Sequence, residues 1–471
     1  MSLLANCIFY DIESSGLDVS FDQILQFYGC RIDEQGQISD ECHIHVKGLV
    51  DCVPDIAATQ VHGLVPSFDH GESEFDAMCR IHAFLNTPLH KNGGYNTLGF
   101  DDEFIRFSFY RNFLNPYQHQ WAQQCSRFDI FPVTALYAIL APDVMTWPMI
   151  DGRVSLKLEH LNEANGWMKG QAHDASFDVH VTHRCAEVLA KDSERFAYAM
   201  GYFNKDIDKK RSAGYCDTYY QIPYALLFDT RFGYRNRFMK PALLLGGHAI
   251  YRNQSLWLCL DEPLWDLEYE EIERKIYRKK LGEPAFVLPP KEPYLSHCQE
   301  AYTVAQENLA WLASRASLIK KIAGACVKSY EDHPNVDIDA QLYQLGLISQ
   351  KQIEEQFVLT QSDTAARMRL LMSAAGSYKS RALRFCLRHD MGAWQSQRTG
   401  SCQDYLSYML GHDAGIFHNH RQKPKRQLPD MLRAVEEALG SDGCDQNLMR
   451  QYKAQLLKQQ AMLEEMVLGQ A

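Results

Sequence analysis

Residues 7–16 read CIFYDIESSG. Apolar and aromatic side chains from Cys7 to Tyr10 lead into Asp11, Ile12 and Glu13, and a Ser-Ser-Gly turn follows. This is a buried strand that ends at carboxylates. Period-2 alternation puts Asp11 and Glu13 on one face. Two such carboxylates repel and call for a counter-charge. An all-oxygen ligand set favours Mg²⁺ or Mn²⁺ over Zn²⁺. Taken alone, the pair reads equally as solvated acids at a strand end.

Working outward, residues 24–33 (ILQFYGCRID) and 41–47 (ECHIHVK) read as the next two strands, with the turn DEQGQ between them. Residues 73–86 have helical spacing, and 101–113 begin with acids and continue as an amphipathic helix. Two further helices are expected at 156–165 and 174–190. Strands followed by helices predict an α/β domain over residues 1–190. Residues 191–331 hold short β-rich runs (YALLF, PALLLGGHAIY, SLWLCL, AFVLPP) and one expected helix, DLEYEEIERKIYRKKL. They read as a small barrel-like β domain with helical additions. Residues 332–471 read as helical, with a basic loop, HNHRQKPKRQLP, at 418–429.

Two more clusters join the strand-end pair. In GYNTLGFDDEFIRF, Asp101, Asp102 and Glu103 open a helix, a placement that the helix dipole alone would also favour. In QAHDASFDVHVT, His173 precedes a helix and Asp178 follows five residues later. A His there can act as a general base near neutrality; a capping Asp174 beside a core His is the plainer alternative. Together the clusters run in a specific order: strand DxE, a helix-opening Asp, then H-x4-D. Four carboxylates and one His suit a two-metal phosphodiester hydrolase.

The chain has 471 residues, and 46% of them are hydrophobic. That excludes global disorder and suggests two to four domains. No apolar run reaches the ~18–20 residues of a membrane span. The opening MSLLANCIFY lacks a signal-peptide pattern, and the 14 cysteines are scattered without a CxxC pair. A reduced, cytoplasmic chain is expected. The net charge of −11 argues at first against a nucleic-acid partner. It is unevenly spread: residues 1–190 hold 25 acids and 11 bases, and residues 191–471 hold 34 acids and 37 bases. Residues 202–240 supply 8 Lys/Arg (Lys209, Lys210, Arg211, Arg235, Arg237 and Lys240 among them) and 10 Tyr/Phe. Residues 361–426 hold 11 Lys/Arg against 4 acids. Aromatics interleaved with bases suit sequence-independent single-strand binding; the aromatics read equally as β-domain core and the Arg run as a solvated helix face.

The order DxE, D, HxxxxD resembles the DEDDh group of 3′→5′ exonucleases. GYNTLGFDDEFIRFSFYRNFLNPY, LKLEHLNEANG, AHDASFDV, FMKPALLL and NVDIDAQLY resemble, in the same order, segments of the bacterial exodeoxyribonuclease I family. The resemblance implies a ribonuclease-H-like exonuclease domain (1–190), an SH3-like β domain with helical additions (191–331) and a helical C-terminal domain (332–471). It implies Asp11, Glu13, Asp101 and Asp178 as ligands of two Mg²⁺ ions, with Mn²⁺ as substitute, and His173 as general base. Asp101 is chosen over Asp102 because the family ligand aligns with the first acid of FDDE. Substrate-positioning loops align with Ser14, Ser15 and Gly16, with His62, and with Tyr95 and Asn96. Arg106, one helical turn past Asp101, reads equally as a group facing a phosphate and as a solvated helix Arg.

The activity implied is hydrolysis of single-stranded DNA to nucleoside 5′-monophosphates by a monomer. An RNA 3′-exonuclease and a non-catalytic DNA-binding relic are the competing readings. The resemblance also implies contact with the acidic tail of single-strand-binding protein, at Tyr198 and Lys240. The hairpin after Lys240 looks short for the family, and RALRFCLRHDMGAW matches it only loosely.

Overall fold

The carboxylate strand lies in the middle of a five-stranded sheet. The computed structural model describes residues 2–170, 174–219, 221–325, 333, 335–344, 358–397, 400–413, 415–441 and 443–468. Strands β1 (Cys7–Ser14), β2 (Ile24–Ile32) and β3 (Ile38–His45) form an antiparallel meander, and β4 (Lys91–Gly94) and β5 (Ser126–Asp129) add parallel to β1. The order is β3-β2-β1-β4-β5. Helices α1 (Ile56–His62), α2 (Glu74–Leu85), α3 (Asp101–Arg111), α4 (Ile130–Leu140), α5 (Leu158–Asn165) and α6 (Ala175–Ala190) complete this unit.

The alternation along β1 sorts its residues between two cores. Ile8, Tyr10 and Ile12 pack with Ala77, Met78 and Ile81 of α2 and with Phe104, Ile105 and Phe109 of α3. Cys7 and Phe9 pack on the other side, with Val133 and Leu136 of α4 and Val179 and Cys185 of α6. Asp11 and Glu13 continue that second face. Its apolar residues therefore give way to carboxylates where the strand reaches the N-terminal end of α6. Strand β4, sequence KNGG, carries almost no strand propensity. It exists because the backbone of β5 comes close: a Cβ on Gly93 would lie 2.3 Å from the Phe128 carbonyl oxygen.

A short hairpin, β6 (Met149–Ile150) with β7 (Arg153–Val154), precedes α5. After α7 (Ser193–Met200) and α8 (Lys205–Gly214) the chain enters a six-stranded sheet. Its path is β12 (Ile276–Lys280), β11 (Gln254–Cys259), β10 (Met239–Gly247), β9 (Ile222–Phe228) and β13 (Phe286–Leu288), with β8 (Asp217–Tyr219) also on β9. The four β-rich runs read from the sequence are β9, β10, β11 and β13. The single helix expected over DLEYEEIERKIYRKKL is corrected. Helix α9 (Tyr269–Arg274) stops at Lys275, and the rest is β12, with Tyr277 opposite Trp257 and Lys279 ion-paired to the buried Asp208 at 2.7 Å. Pairing with an open sheet edge outweighs local helix propensity there.

Helices α10 (Gln299–Ala313) and α11 (Ala316–Ala325) pack on this sheet. Beyond it, helices 364–373, 376–389, 391–397, 400–409, 428–439 and 446–468 share one apolar cluster, which also takes in Val50, Val53 and Phe113 of the first unit. The arginines of RALRFCLRH are spent inside this junction rather than on an exposed surface. Arg388 donates to Asp51 and Asp339, Arg384 pairs with Asp337 and Asp339, and Arg381 donates to the Tyr110 carbonyl. Tyr452 donates to the Pro54 carbonyl, and Gln459 to those of Val50 and Cys52. Among the described residues, no helix is long and apolar enough to cross a membrane.

Candidate active site

Three carboxylates meet where β1 ends and α6 begins. Ligand oxygens of Asp11, Glu13 and Asp178 all lie within 4.8 Å of one another, each side chain partly exposed. Asp178 is reached because Asp174 caps α6, accepting from the Phe177 N–H at 3.1 Å. Asp101 arrives from the opposite side of the sheet, at the start of α3. Its Oδ1 accepts the Ile12 N–H at 3.2 Å, which ties it to the backbone between Asp11 and Glu13.

The electrostatics mark this cluster as short of positive charge. Burial, then Asp101, Asp178 and Glu13, push the Asp11 carboxyl well above its usual range. Burial, then Asp178 and Asp101, push Glu13 up to about 8. Burial also raises Asp101 to about 8 against the pull of the Ile12 N–H. Three carboxylates at one point, with Asp101 adding to the same field, are unfavourable without a counter-cation, and oxygen donors alone suit a hard divalent ion. The residues present fit such an ion.

Asp102 turns the other way. It is fully buried and bonded to Arg106 at 2.7 Å, Arg127 at 2.6 Å and His119 at 3.0 Å. Burial works against its ionisation, but the two guanidiniums hold its pKa well below the usual value. Arg127 extends this network at 3.0 Å to Glu283, in the turn that leaves residue 280 of the second sheet. Arg106 is thereby enclosed: it pairs with Asp102 and Glu103, reaches Gln120 at 3.2 Å, and is 8% exposed at its side chain. The guanidinium expected to face a phosphate is committed to anchoring α3.

Of the remaining expected residues, Ser14, Ser15, Gly16 and His62 lie at the end of β1. Ser14 donates from Oγ to the Gly16 carbonyl at 2.7 Å, and Ser15 from Oγ to Asp22 at 2.8 Å. His62 accepts the Leu64 N–H at Nδ1 and donates from Nε2 to the Ser14 carbonyl at 3.0 Å, so it braces this turn. Tyr95 donates to the Leu156 carbonyl. Asn96 is left-handed, φ 64°, and its N–H donates to Asp129 Oδ1 at 2.8 Å. Tyr198 and Lys240 have separate neighbours: the Tyr198 hydroxyl bonds Tyr202 at 3.0 Å, and Lys240 pairs with Asp261 at 2.8 Å. His173 lies outside the described residues.

Two contributors escaped the sequence. Asp129 receives N–H groups from Asn96, Leu98 and Phe131, and so shapes the loop that delivers Asp101. Arg426, from the basic loop of the helical region, pairs with Asp22 at 2.9 Å and Asp55 at 3.1 Å and donates to the Val53 carbonyl. Through Asp22 it clamps the Ser14–Gly16 turn. A strand-ending Asp before an apolar helix could have flagged Asp129. Nothing local could have flagged Arg426, whose partner Asp22 is 404 residues away.

This fold and this cluster define a class: the Exonuclease family pattern (RNase_T) matches residues 8–186, and the chain is an exonuclease. Exodeoxyribonuclease I of Haemophilus influenzae is 30% identical over 361 residues, covering 71% of this chain and 76% of that one. The chain belongs to the exodeoxyribonuclease I family. Among solved structures, E. coli exonuclease I in complex with a dA16 oligonucleotide superposes with TM-score 0.80 at 21% identity, over 98% of this chain and 100% of that one. A structure described as SSB/exonuclease I with the inhibitor CFAM gives TM-score 0.77, also at 21% identity, over 98% and 99%.

Proposed function

We propose that this chain hydrolyses single-stranded DNA from its 3′ end, releasing nucleoside 5′-monophosphates. The observation that carries the reading is the convergence of Asp11, Glu13 and Asp178 within 4.8 Å, with Asp101 tied to the same strand through the Ile12 N–H. These four residues hold two Mg²⁺ ions, for which Mn²⁺ substitutes. When bound, the ions neutralise the carboxylates and stabilise charge in an in-line displacement at phosphorus. His173, next to the helix-capping Asp174, takes the proton of the attacking water. The turn Ser14–Gly16, braced by His62 and by Asp22–Arg426, bounds the space beside the carboxylates where the terminal nucleotide sits. Tyr95 and Asn96 bound it from the β4 side.

The three units, 1–190, 191–331 and 332–471, enclose the strand between them. Internal pairing removes many of the cations counted in the sequence. Lys209, Lys210, Arg235, Arg421 and Lys423 are exposed and make no ion pair among the described residues, so they are the groups assigned to phosphates. The relatives named exodeoxyribonuclease I and the likeness to an oligonucleotide complex support DNA over RNA. The SSB/exonuclease I structure supports a tail-binding role for Tyr198 and Lys240, in which the tail carboxylate replaces Asp261 on Lys240.

Asp178→Ala tests the assignment. The variant is expected to bind a 3′-labelled oligonucleotide yet leave it undigested in Mg²⁺. Digestion at the normal rate refutes it. Deoxy and ribo oligonucleotides of one sequence, run side by side, decide the sugar preference.

A further inference from the structure

The sheet face that carries Asp11 and Glu13 does not end at β1. In the antiparallel register Glu13 faces Gln26 and Asp11 faces Tyr28. One strand further, Gln26 faces His45 and Tyr28 faces His43. Facing residues share a face, so two rows run from the carboxylates to the edge strand: Glu13–Gln26–His45 and Asp11–Tyr28–His43. His43 and His45 stand two strand spacings, about 10 Å, from the carboxylates. Both are exposed. Their backbone positions are about 6.6 Å apart along the strand, yet the rings lean together, with centroids 4.7 Å apart and planes at 44°.

The Gln26 amide nitrogen sits between two acceptors. It donates to His43 Nε2 at 3.1 Å and to Asp174 Oδ2 at 3.3 Å. An imidazole nitrogen that accepts is unprotonated, with its lone pair aimed at that point. Partial desolvation and the neighbouring His45 lower the His43 pKa, against the pull of Asp174 and Glu41. Asp174 divides its oxygens: Oδ1 caps α6, and Oδ2 is turned to Gln26. A neutral imidazole and a carboxylate oxygen thus converge on a donor, and a second imidazole leans in beside them. Mixed nitrogen and oxygen donors suit late first-row divalent ions, unlike the all-carboxylate cluster.

We propose that His43 and His45, with Asp174 Oδ2 as third donor, form a second divalent-metal site for an imidazole-preferring ion such as Zn²⁺ or Ni²⁺. The Gln26 amide rotates out of the position it now holds, and the three donors close on the ion. The site is coupled to the carboxylate centre by short links. Gln26 stands opposite Glu13, and Asp174 opens the helix that carries Asp178. Occupation therefore slows the hydrolysis, a consequence that rests on the exonuclease reading above.

Calorimetric titration with Ni²⁺ in excess Mg²⁺ tests the site. One Ni²⁺ per chain is expected in the wild type and in Asp178→Ala. Binding about tenfold weaker or worse is expected in His43→Gln/His45→Gln, whose altered residues are exposed and leave the fold intact. Full binding by the double variant, or its loss in Asp178→Ala, overturns the proposal. In the second arm, Ni²⁺ added to the Mg²⁺-supported digestion inhibits the wild type at lower concentration than the double variant. Equal inhibition overturns the coupling. Failure of the exonuclease reading would appear separately, as no digestion by the wild type in Mg²⁺ alone, while the calorimetry still decides the site.

Discussion

Replacing Arg388 with Met should cost about 3 kcal/mol of stability at neutral pH, the lower end of the ~3–5 kcal/mol for breaking a buried ion pair. Arg388 is 4% exposed at its side chain and stands between two carboxylates, Asp51 at 1% and Asp339 at 5%. It donates to Asp51 from Nε at 3.0 Å and from Nη2 at 2.6 Å, and to Asp339 from Nη2 at 2.6 Å. The lower end applies because neither acid is left bare. Asp51 keeps the Tyr405 hydroxyl at 2.9 Å, and Asp339 keeps Arg384 at 3.3 Å.

Denaturant unfolding followed by Trp394, buried in the same helical cluster, reads the loss locally. The pH dependence gives a second check. Burial opposes ionisation of Asp51, but Arg388 holds its pKa well below the usual value. Its contribution is therefore present above the unfolded pKa of about 3.9 and is lost as pH falls through the depressed folded value. In the variant, loss of the nearest guanidinium lets burial raise the carboxyl against the remaining Lys425 and Arg384, so the variant recovers as the acid protonates. The deficit between the two proteins should narrow from about pH 6 to pH 4. A deficit under about 1 kcal/mol at pH 7, the value of an exposed pair, or one that widens on acidification, would refute the reasoning.

Two further perturbations bear on the site. In Gly16→Ala the new Cβ would lie 2.4 Å from Asp22 Oδ2 and 2.8 Å from Arg426 Nη2, so the turn must shift; a fall in kcat of about 10²-fold is expected, and an unchanged kcat counts against that turn's role. Glu13 and Asp101, both raised to about 8 without a cation, should make the metal-free protein lose stability as pH rises from about 4.5 toward 8. Excess Mg²⁺ should remove that slope in a thermal melt, and a slope unchanged by Mg²⁺ would point away from metal binding by these carboxylates.

The sequence disclosed what depends on near neighbours. Period-2 alternation placed β1 and the shared face of Asp11 and Glu13, and capping placed the start of α6. Strand β4 was illegible because KNGG is strand only by virtue of the chains beside it. The split of DLEYEEIERKIYRKKL was illegible for the same reason, since β12 is made by β11. Counting cations also misled. Arg106, Arg381, Arg384 and Arg388 look like phosphate ligands in a list of charges, yet each is neutralised or enclosed by partners that only the fold brings near. Arg426 is the converse case, an ordinary basic-loop residue that becomes the brace of the turn beside Glu13.

That brace has a consequence for how the protein is made. Asp22 and the Val50–Pro54 segment are synthesised early, whereas Arg426, Tyr452 and Gln459, which bond them, follow some 370 to 410 residues later. At about 5–20 residues per second, roughly 20–80 seconds of translation separate the two halves of this junction. The nascent first unit can assemble its sheet and its carboxylates, but the turn beside them stays unbraced until the helical region has emerged and docked. The growing polypeptide therefore carries its carboxylates beside an unbraced turn until the segment around Arg426 has docked on Asp22.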